Sequence, residues 1–310
     1  MKGAGHEAFL ADPVCPFPLL ASAKPATDLV GRYVLQGVRE TGSTLLLRAD
    51  GSFEATYAFG NLDGHIKGRW QRTENTVTLA SDGHSDVAEL FKDVPLAVGE
   101  HCLIRDMGDY KACYLRQPRL PYKAWRLGFF APDYMDVWLE TADVTDVRGI
   151  TSIGAVQGTV SIRQPENGSG KPAGWSKRFG WGAGHYLSGL DLPESIFIRW
   201  QSLAEPQTYR AMLTIPAETR AIMLRQEPAK CGASGRTSDY RLAIVIGLAP
   251  GGIAKAWVMG ACLPPIEISR IQAKIEPKGP YQGLSEGRHR PLKPAAKAYI
   301  EQHGIPYGSW

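Results

Sequence analysis

The chain reads as a mainly β (α+β) protein: a small N-terminal β-barrel or meander, then a β-sandwich-like domain carrying two short helices. Short apolar runs separated by turn residues recur along its 310 residues. One of them alternates strictly, with Phe53, Ala55, Tyr57 and Phe59 on one side and smaller or polar residues between, which is the pattern of a strand with one buried face. Two cysteine pairs bracket hairpin-like segments: Cys102 and Cys113 lie symmetrically about Met107-Gly108, and Cys231 and Cys262 enclose a unit that turns at Pro250-Gly251-Gly252.

Residues 1–28 read as a Pro-rich leader or linker, 29–120 as the first β domain and 121–310 as the second. In the first domain strands are expected over Leu29 to Val38, Ser43 to Arg48, Phe53 to Phe59, His65 to Arg72 and Thr76 to Leu79. Asp50-Gly51, Gly60 to Gly64 and Glu74-Asn75 supply the turns. A meander of this kind closes into a small barrel or curls over a core. With Gly31 and Tyr33 opening the first strand and Gly68 to Trp70 in a later one, it resembles the start of a lipocalin-type barrel. That resemblance implies an interior lined by residues such as Tyr33, Phe53, Tyr57 and Trp70.

The apolar segment Trp125 to Ala131 is the passage into the second domain. Strands follow over Tyr134 to Glu140 and, as a pair broken by Gly154 and Gly158, over Gly149 to Ile162. Pro165 to Gly184 holds eight glycines and prolines in twenty residues and reads as a long irregular loop. Strands resume over Ile196 to Leu203 and Tyr209 to Ile215. Pro216 suits the first turn of a helix through Ala217 to Gln226. The strongest strands are Tyr240 to Leu248 and Ile253 to Met259, followed by Ile266 to Ile275. A last helix, Pro294 to His303, has Pro near its start and Gly304 at its stop.

Charge is unevenly divided. Residues 1–150 hold 16 Lys/Arg against 20 Asp/Glu, and residues 151–310 hold 19 against 11. The basic second half would suit an acidic partner or a phospholipid surface, but only Arg288 to Lys297 is locally dense and Pro291 and Pro294 interrupt it, so scattered solvated charges are the expectation. Aromatics are not interleaved with a basic stripe, so no nucleic-acid partner is expected. No stretch approaches eighteen uninterrupted apolar residues, and a spanning helix is not expected. Val14 to Ala23 ends in Ala21-Ser22-Ala23 like a secretory cleavage site, but Asp12, Pro16 and Pro18 are poorly suited to a signal helix.

The motifs that carry chemistry are weak. Gly168-Ser169-Gly170-Lys171 echoes a phosphate loop, yet Pro165 and Pro172 occupy the positions of its first glycine and its hydroxyl. Gly180, Gly182 and Gly184 lack the following helix of a dinucleotide site. The seven histidines show no ligand spacing, and Asp133, Asp136, Glu140, Asp143 and Asp146 flank a strand instead of filling a calcium loop. No Gly-x-Ser-x-Gly elbow is present. The expectation is therefore a protein that is not an enzyme, with no catalytic residue, no metal and no cofactor. Disulfides Cys102–Cys113 and Cys231–Cys262, each worth about 3 kcal/mol, place it in an oxidising compartment. Cys15 is left over and lacks a preceding lipobox.

Several strings in the second domain resemble a family of uncharacterised proteobacterial lipoproteins encoded beside type VI secretion effectors, notably lipases. They are Tyr134 to Asp146, Pro172-Ala173-Gly174-Trp175, Leu192-Pro193 to Tyr209 with Trp200 to Leu203, Gly247 to Gly252, Trp257, and the ending Gly304-Ile305-Pro306-Tyr307-Gly308. The resemblance implies a periplasmic immunity protein that binds and inhibits a secreted toxic effector, a phospholipase or lipase. It also implies a possible membrane tether through a leader absent from this chain. The long loop, with Trp175, Arg178 and Trp181, is the expected partner-binding surface, because aromatic and Arg residues dominate interface energetics; the alternative, equally open, is that Trp175 and Trp181 cap the domain core. The alternative is a periplasmic lipid or small-molecule binding protein that uses the barrel. Trp200 and Trp257 are expected to point inward.

Overall fold

A computed structural model describes residues 26–161, 164–176, 180–232 and 235–310. The leader through residue 25, including Cys15 and the cleavage-like Ala21 to Ala23, lies outside the described residues, as does Arg178. The chain divides into two compact units, Met1–Gly99 with Leu103–Tyr114, and Glu100–Cys102 with Leu115–Trp310.

The first unit is built around a closed eight-stranded barrel whose strands follow chain order. They are β1 (Gly31–Gln36), β2 (Thr41–Leu47), β3 (Ser52–Phe59), β4 (Leu62–Thr73), β5 (Thr76–Ser81), β6 (Val94–Val98), β7 (Cys102–Asp106) and β8 (Lys111–Arg116). A one-turn helix, α1 (Asp86–Glu89), is capped by Ser85, whose side chain accepts a hydrogen bond from the Ala88 amide. Closure removes the open edges that a meander would expose. The alternation seen in the sequence becomes the inside and outside of the wall: Leu45, Leu47, Phe53, Ala55, Ile66 and Trp70 are buried and their neighbours are not, but the buried face of β3 stops short of its end, where Phe59 is exposed. Tyr33, Phe91 and Tyr114 also join this core, with Tyr57 packed against it. Deep in the barrel, the Ser43 and Tyr114 hydroxyls share a hydrogen bond of 2.9 Å. Cys102 and Cys113 are each disulfide-bonded.

The second unit stacks two five-stranded sheets. One has the order β11 (Thr151–Ser161), β10 (Val137–Asp146), β13 (Pro193–Ser202), β14 (Gln207–Thr214), β20 (Lys274–Ile275). The other runs β12 (Ala183–Ser188), β9 (Ala124–Phe130), β17 (Ala243–Ala249), β18 (Ile253–Met259), β19 (Ile266–Gln272). A single apolar cluster fills the space between them, with Trp125, Leu127 and Phe129 from β9, Ile198 and Trp200 from β13, and Ile244, Ile246 and Leu248 from β17. That is a β-sandwich, as expected. Helices α2 (Ala217–Leu224) and α3 (Pro294–His303) and a small hairpin of β15 (Gln226–Cys231) with β16 (Arg236–Tyr240) complete it. Pro216 is the N-cap residue of α2, and α3 ends at Gly304, which has φ 72°.

Three local expectations change. The strand expected from Tyr134 starts at Val137, because Tyr134 adopts a left-handed φ of 62° in a turn. The two strands expected between Gly149 and Ile162 are one, β11, with Gly154 and Gly158 at positive φ where the β10–β11 register is irregular. Glycine here bends a strand without ending it. Trp257 is buried, but its ring packs with Phe130 and Trp175 on the sheet face opposite the sandwich core, whereas Trp200 does enter the core.

Candidate functional site

Strand β17 is buried along its whole length, on both faces. Its even residues Ile244, Ile246 and Leu248 enter the sandwich, so Ala243, Val245, Gly247 and Ala249 need a second cover. The Gly/Pro-rich loop supplies part of it. The Trp175 indole lies against Gly247 and completes a triad with Phe130 and Trp257, the three ring centroids 5.4 to 5.5 Å apart. Trp181 packs on Ala243, Val245 and Met259, with Tyr186 at 6.3 Å. The Arg126 guanidinium lies 5.4 Å over the Tyr186 ring and donates to the Gly182 carbonyl at 3.0 Å. Both tryptophans of the expected surface are thus half-buried.

The loop is held at successive points instead of wandering. The Tyr134 hydroxyl donates to the Pro165 carbonyl at 2.6 Å and accepts from the Gly170 amide at 3.2 Å. The Lys171 amide donates to the Asp133 carboxylate at 3.0 Å. Trp310 Nε1 donates to the Pro172 carbonyl at 2.8 Å, and the Gly174 amide donates to Ser309 Oγ at 3.1 Å. Tyr134 itself stacks on Tyr299 of α3 with centroids 4.0 Å apart.

These anchors leave a cleft of about 660 Å³ between the end of β9 and the loop. Phe130 and Trp175 form its apolar wall; Asp133, Ser169, Lys171 and Ser176 supply its polar groups. The Trp175 Nε1 hydrogen is buried with no acceptor among the described residues. A pre-formed concave surface with an aromatic wall and a few polar groups is suited to binding.

The chain end that anchors the loop is itself clamped by Glu205. Its carboxylate accepts from Tyr209 at 2.5 Å, from Tyr307 at 2.7 Å and from the Gly251 amide at 3.0 Å. Burial of the phenol ends, followed by the hydrogen bond and charge of Glu205, pushes both tyrosines up, Tyr307 to about 12.

Elsewhere in the second unit, Cys231, Cys262 and Asp239 have candidate ligand atoms within 4.8 Å of one another, but the two sulfurs are bonded together. The disulfide ties β15 to the segment after β18. Asp239 instead accepts from the Cys262 amide at 2.9 Å.

Of the three residues expected to bind a partner, the structure brings Trp175 into the cleft wall and sets Trp181 farther along the same sheet face; Arg178 lies outside the described residues. Phe130, Asp133 and Lys171 were not singled out for binding by the sequence. Their partners are far away in the chain: the sequence set Lys171 in a phosphate-loop echo and Asp133 in a carboxylate group, with nothing to bring the two together.

A closed barrel followed by a sandwich with a loop-roofed aromatic cleft defines a two-unit, mainly β protein. The chain belongs to the family described as proteins of unknown function (DUF2931), which matches residues 110–308. That match covers the sandwich and its cleft. No curated protein and no solved structure matches the chain.

Proposed function

We propose that the protein is a periplasmic immunity protein that binds and inhibits a secreted antibacterial effector, a phospholipase or lipase of the type VI secretion class, through the cleft beside Trp175. The observation that supports this reading most is the anchoring of the loop by Tyr134, Asp133, Ser309 and Trp310, which presents a concave, partly aromatic surface in one conformation. Pre-organisation reduces the ordering cost of binding, and an inhibitor of this sort needs complementarity instead of reactive groups. The disulfides favour an oxidising compartment. Among the described residues no helix is long and apolar enough to cross a membrane.

The test is capture of secreted and periplasmic proteins by the oxidised chain, followed by rescue of cells that produce the captured enzyme. Lys171→Glu and Ser169→Arg alter the cleft rim at exposed positions. They are expected to weaken capture at least tenfold while leaving thermal unfolding unchanged. Capture and rescue that survive both substitutions would remove the cleft from the interface, and no captured enzyme at all would end the immunity reading.

A second reading has its own observation. At one end of the barrel the β1–β2 and β7–β8 turns and the end of β3 enclose a hollow of about 410 Å³ lined by Arg39, Tyr57, Phe59, Met107 and Tyr110. Phe59 is 49% and Tyr110 44% exposed, an apolar rim suited to one end of an amphiphile. Native mass spectrometry of the purified protein, before and after organic extraction, checks for a retained ligand; a single unliganded mass in both samples would dismiss this reading.

A further inference from the structure

The first sheet of the sandwich ends in an edge that is only half covered. Strand β20 pairs with β14 through Tyr209–Ile275 and Arg210–Lys274, and the next bond, from the Glu276 amide to the Thr208 carbonyl, closes that end of the ladder. Backbone groups on a strand alternate sides with a period of two. Thr208 points its carbonyl toward β20, so Met212 and Thr214 point their amides and carbonyls the same way, beyond the last paired residue. There the covering chain has already left: Gln272, next in register for Met212, pairs instead with Ile253 of the other sheet.

The gap beside this edge is a groove of about 460 Å³ lined by Phe197, Arg210, Met212, Ile271, Gln272 and Lys274. Met212, 57% exposed, sets an apolar side chain beside the open ladder. The charges at the groove are basic. Arg210 shares Glu276 at 3.5 Å with its own side chain 45% exposed, and Lys274 has no ion-pair partner among the described residues.

We propose that the β14 edge at Ala211–Thr214 is a strand-addition site for an extended, acidic segment of a partner polypeptide. Main-chain groups of Met212 and Thr214 would continue the ladder. Arg210, Met212 and Lys274 share the outer face, so acidic side chains at alternate positions of the added strand would lie on that face, and the intervening apolar ones would turn to the Ala211 side of the sheet. This site lies outside the cleft beside Trp175 and does not depend on the immunity reading.

The test uses the full oxidised chain and two labelled octapeptides, one of alternating Glu and Val, the other of alternating Lys and Val, with binding read by fluorescence anisotropy. The acidic peptide is expected to bind at least tenfold more tightly, and Lys274→Glu to remove most of that preference. Hydrogen exchange should show new protection at the Met212 and Thr214 amides on binding. Equal binding of both peptides, an unchanged preference in Lys274→Glu, or protection confined to other segments would overturn the assignment. So would a self-association that Lys274→Glu abolishes in sedimentation, because the edge would then belong to a second copy of the chain. The cleft-rim variants Lys171→Glu and Ser169→Arg should leave peptide binding unchanged, which separates failure here from failure of the cleft reading.

Discussion

The six-membered ring of Trp175 lies so close to Gly247 that a Cβ at residue 247 would overlap it. Glycine in the middle of a fully buried strand is otherwise a poor choice, since it packs nothing and costs backbone entropy. Here its missing side chain makes the seat of the cleft wall. Gly247→Ala is expected to displace the indole and destabilise the second unit by about 1–3 kcal/mol, the range for overpacking a tight site. Urea unfolding gives the stability change, and a red shift of tryptophan emission reports the displaced ring; unchanged values would mean that the loop yields freely.

Glu205 ties the chain end to the sheet, and the chain end in turn holds the loop through Ser309 and Trp310. Removing the carboxylate leaves the Tyr209 hydroxyl and the Gly251 amide without their acceptor. Glu205→Ala should therefore cost about 1–3 kcal/mol. It should also make the segment after α3 a preferred site of limited proteolysis, and cleavage kinetics equal to those of the wild type would separate the clamp from the loop.

Asp136 is buried, with one carboxylate oxygen accepting from Gln164 at 2.7 Å and the other without a partner among the described residues. Desolvation raises its pKa above the ordinary carboxylate value, against the smaller lowering by Gln164 and Lys293. The folded chain thus holds this proton more tightly than the unfolded chain. The contribution to stability is full below about pH 4 and falls as pH rises through the folded pKa. Asp136→Asn is expected to raise the urea midpoint at pH 7, with the gain shrinking as pH falls toward 4. A midpoint difference that stays constant from pH 4 to 7 would contradict the sign.

The Cys231–Cys262 bond closes a separation of 31 residues and ties the β15–β16 hairpin to the second sheet. Restricting the unfolded chain over such a loop is worth about 3–4 kcal/mol. Replacing both cysteines by Ala should lower stability by up to that amount, and adding a reductant should then have a smaller effect on the variant than on the parent. An undiminished reductant effect would point to the Cys102–Cys113 bond as the one that matters.

Much of the fold was legible in the residues because its cause is local. Alternation of Phe53, Ala55 and neighbours marks a wall with an inside and an outside, and helix α3 with its stop at Gly304 appears where the residues place it. The symmetric placing of Cys102 and Cys113 about a turn foretells a stapled hairpin. Less local features were missed: strand β6, with its short mixed run of Val94–Val98, and the single bulged β11, where glycine reads as a break.

The candidate site belongs to the other category. Trp175 stands out in the sequence as an exposed-loop aromatic, but its burial depends on Gly247, Phe130 and Trp257 meeting it, and the order of the loop depends on Trp310 reaching Pro172 across 138 residues. Periodicity and turn chemistry act over a few residues, so they determine which segments are strands, which faces turn inward and where the chain reverses. Which side of a sheet is covered twice, and which edge is left open at Met212, is decided only when distant segments compete for the same surface in the packed chain.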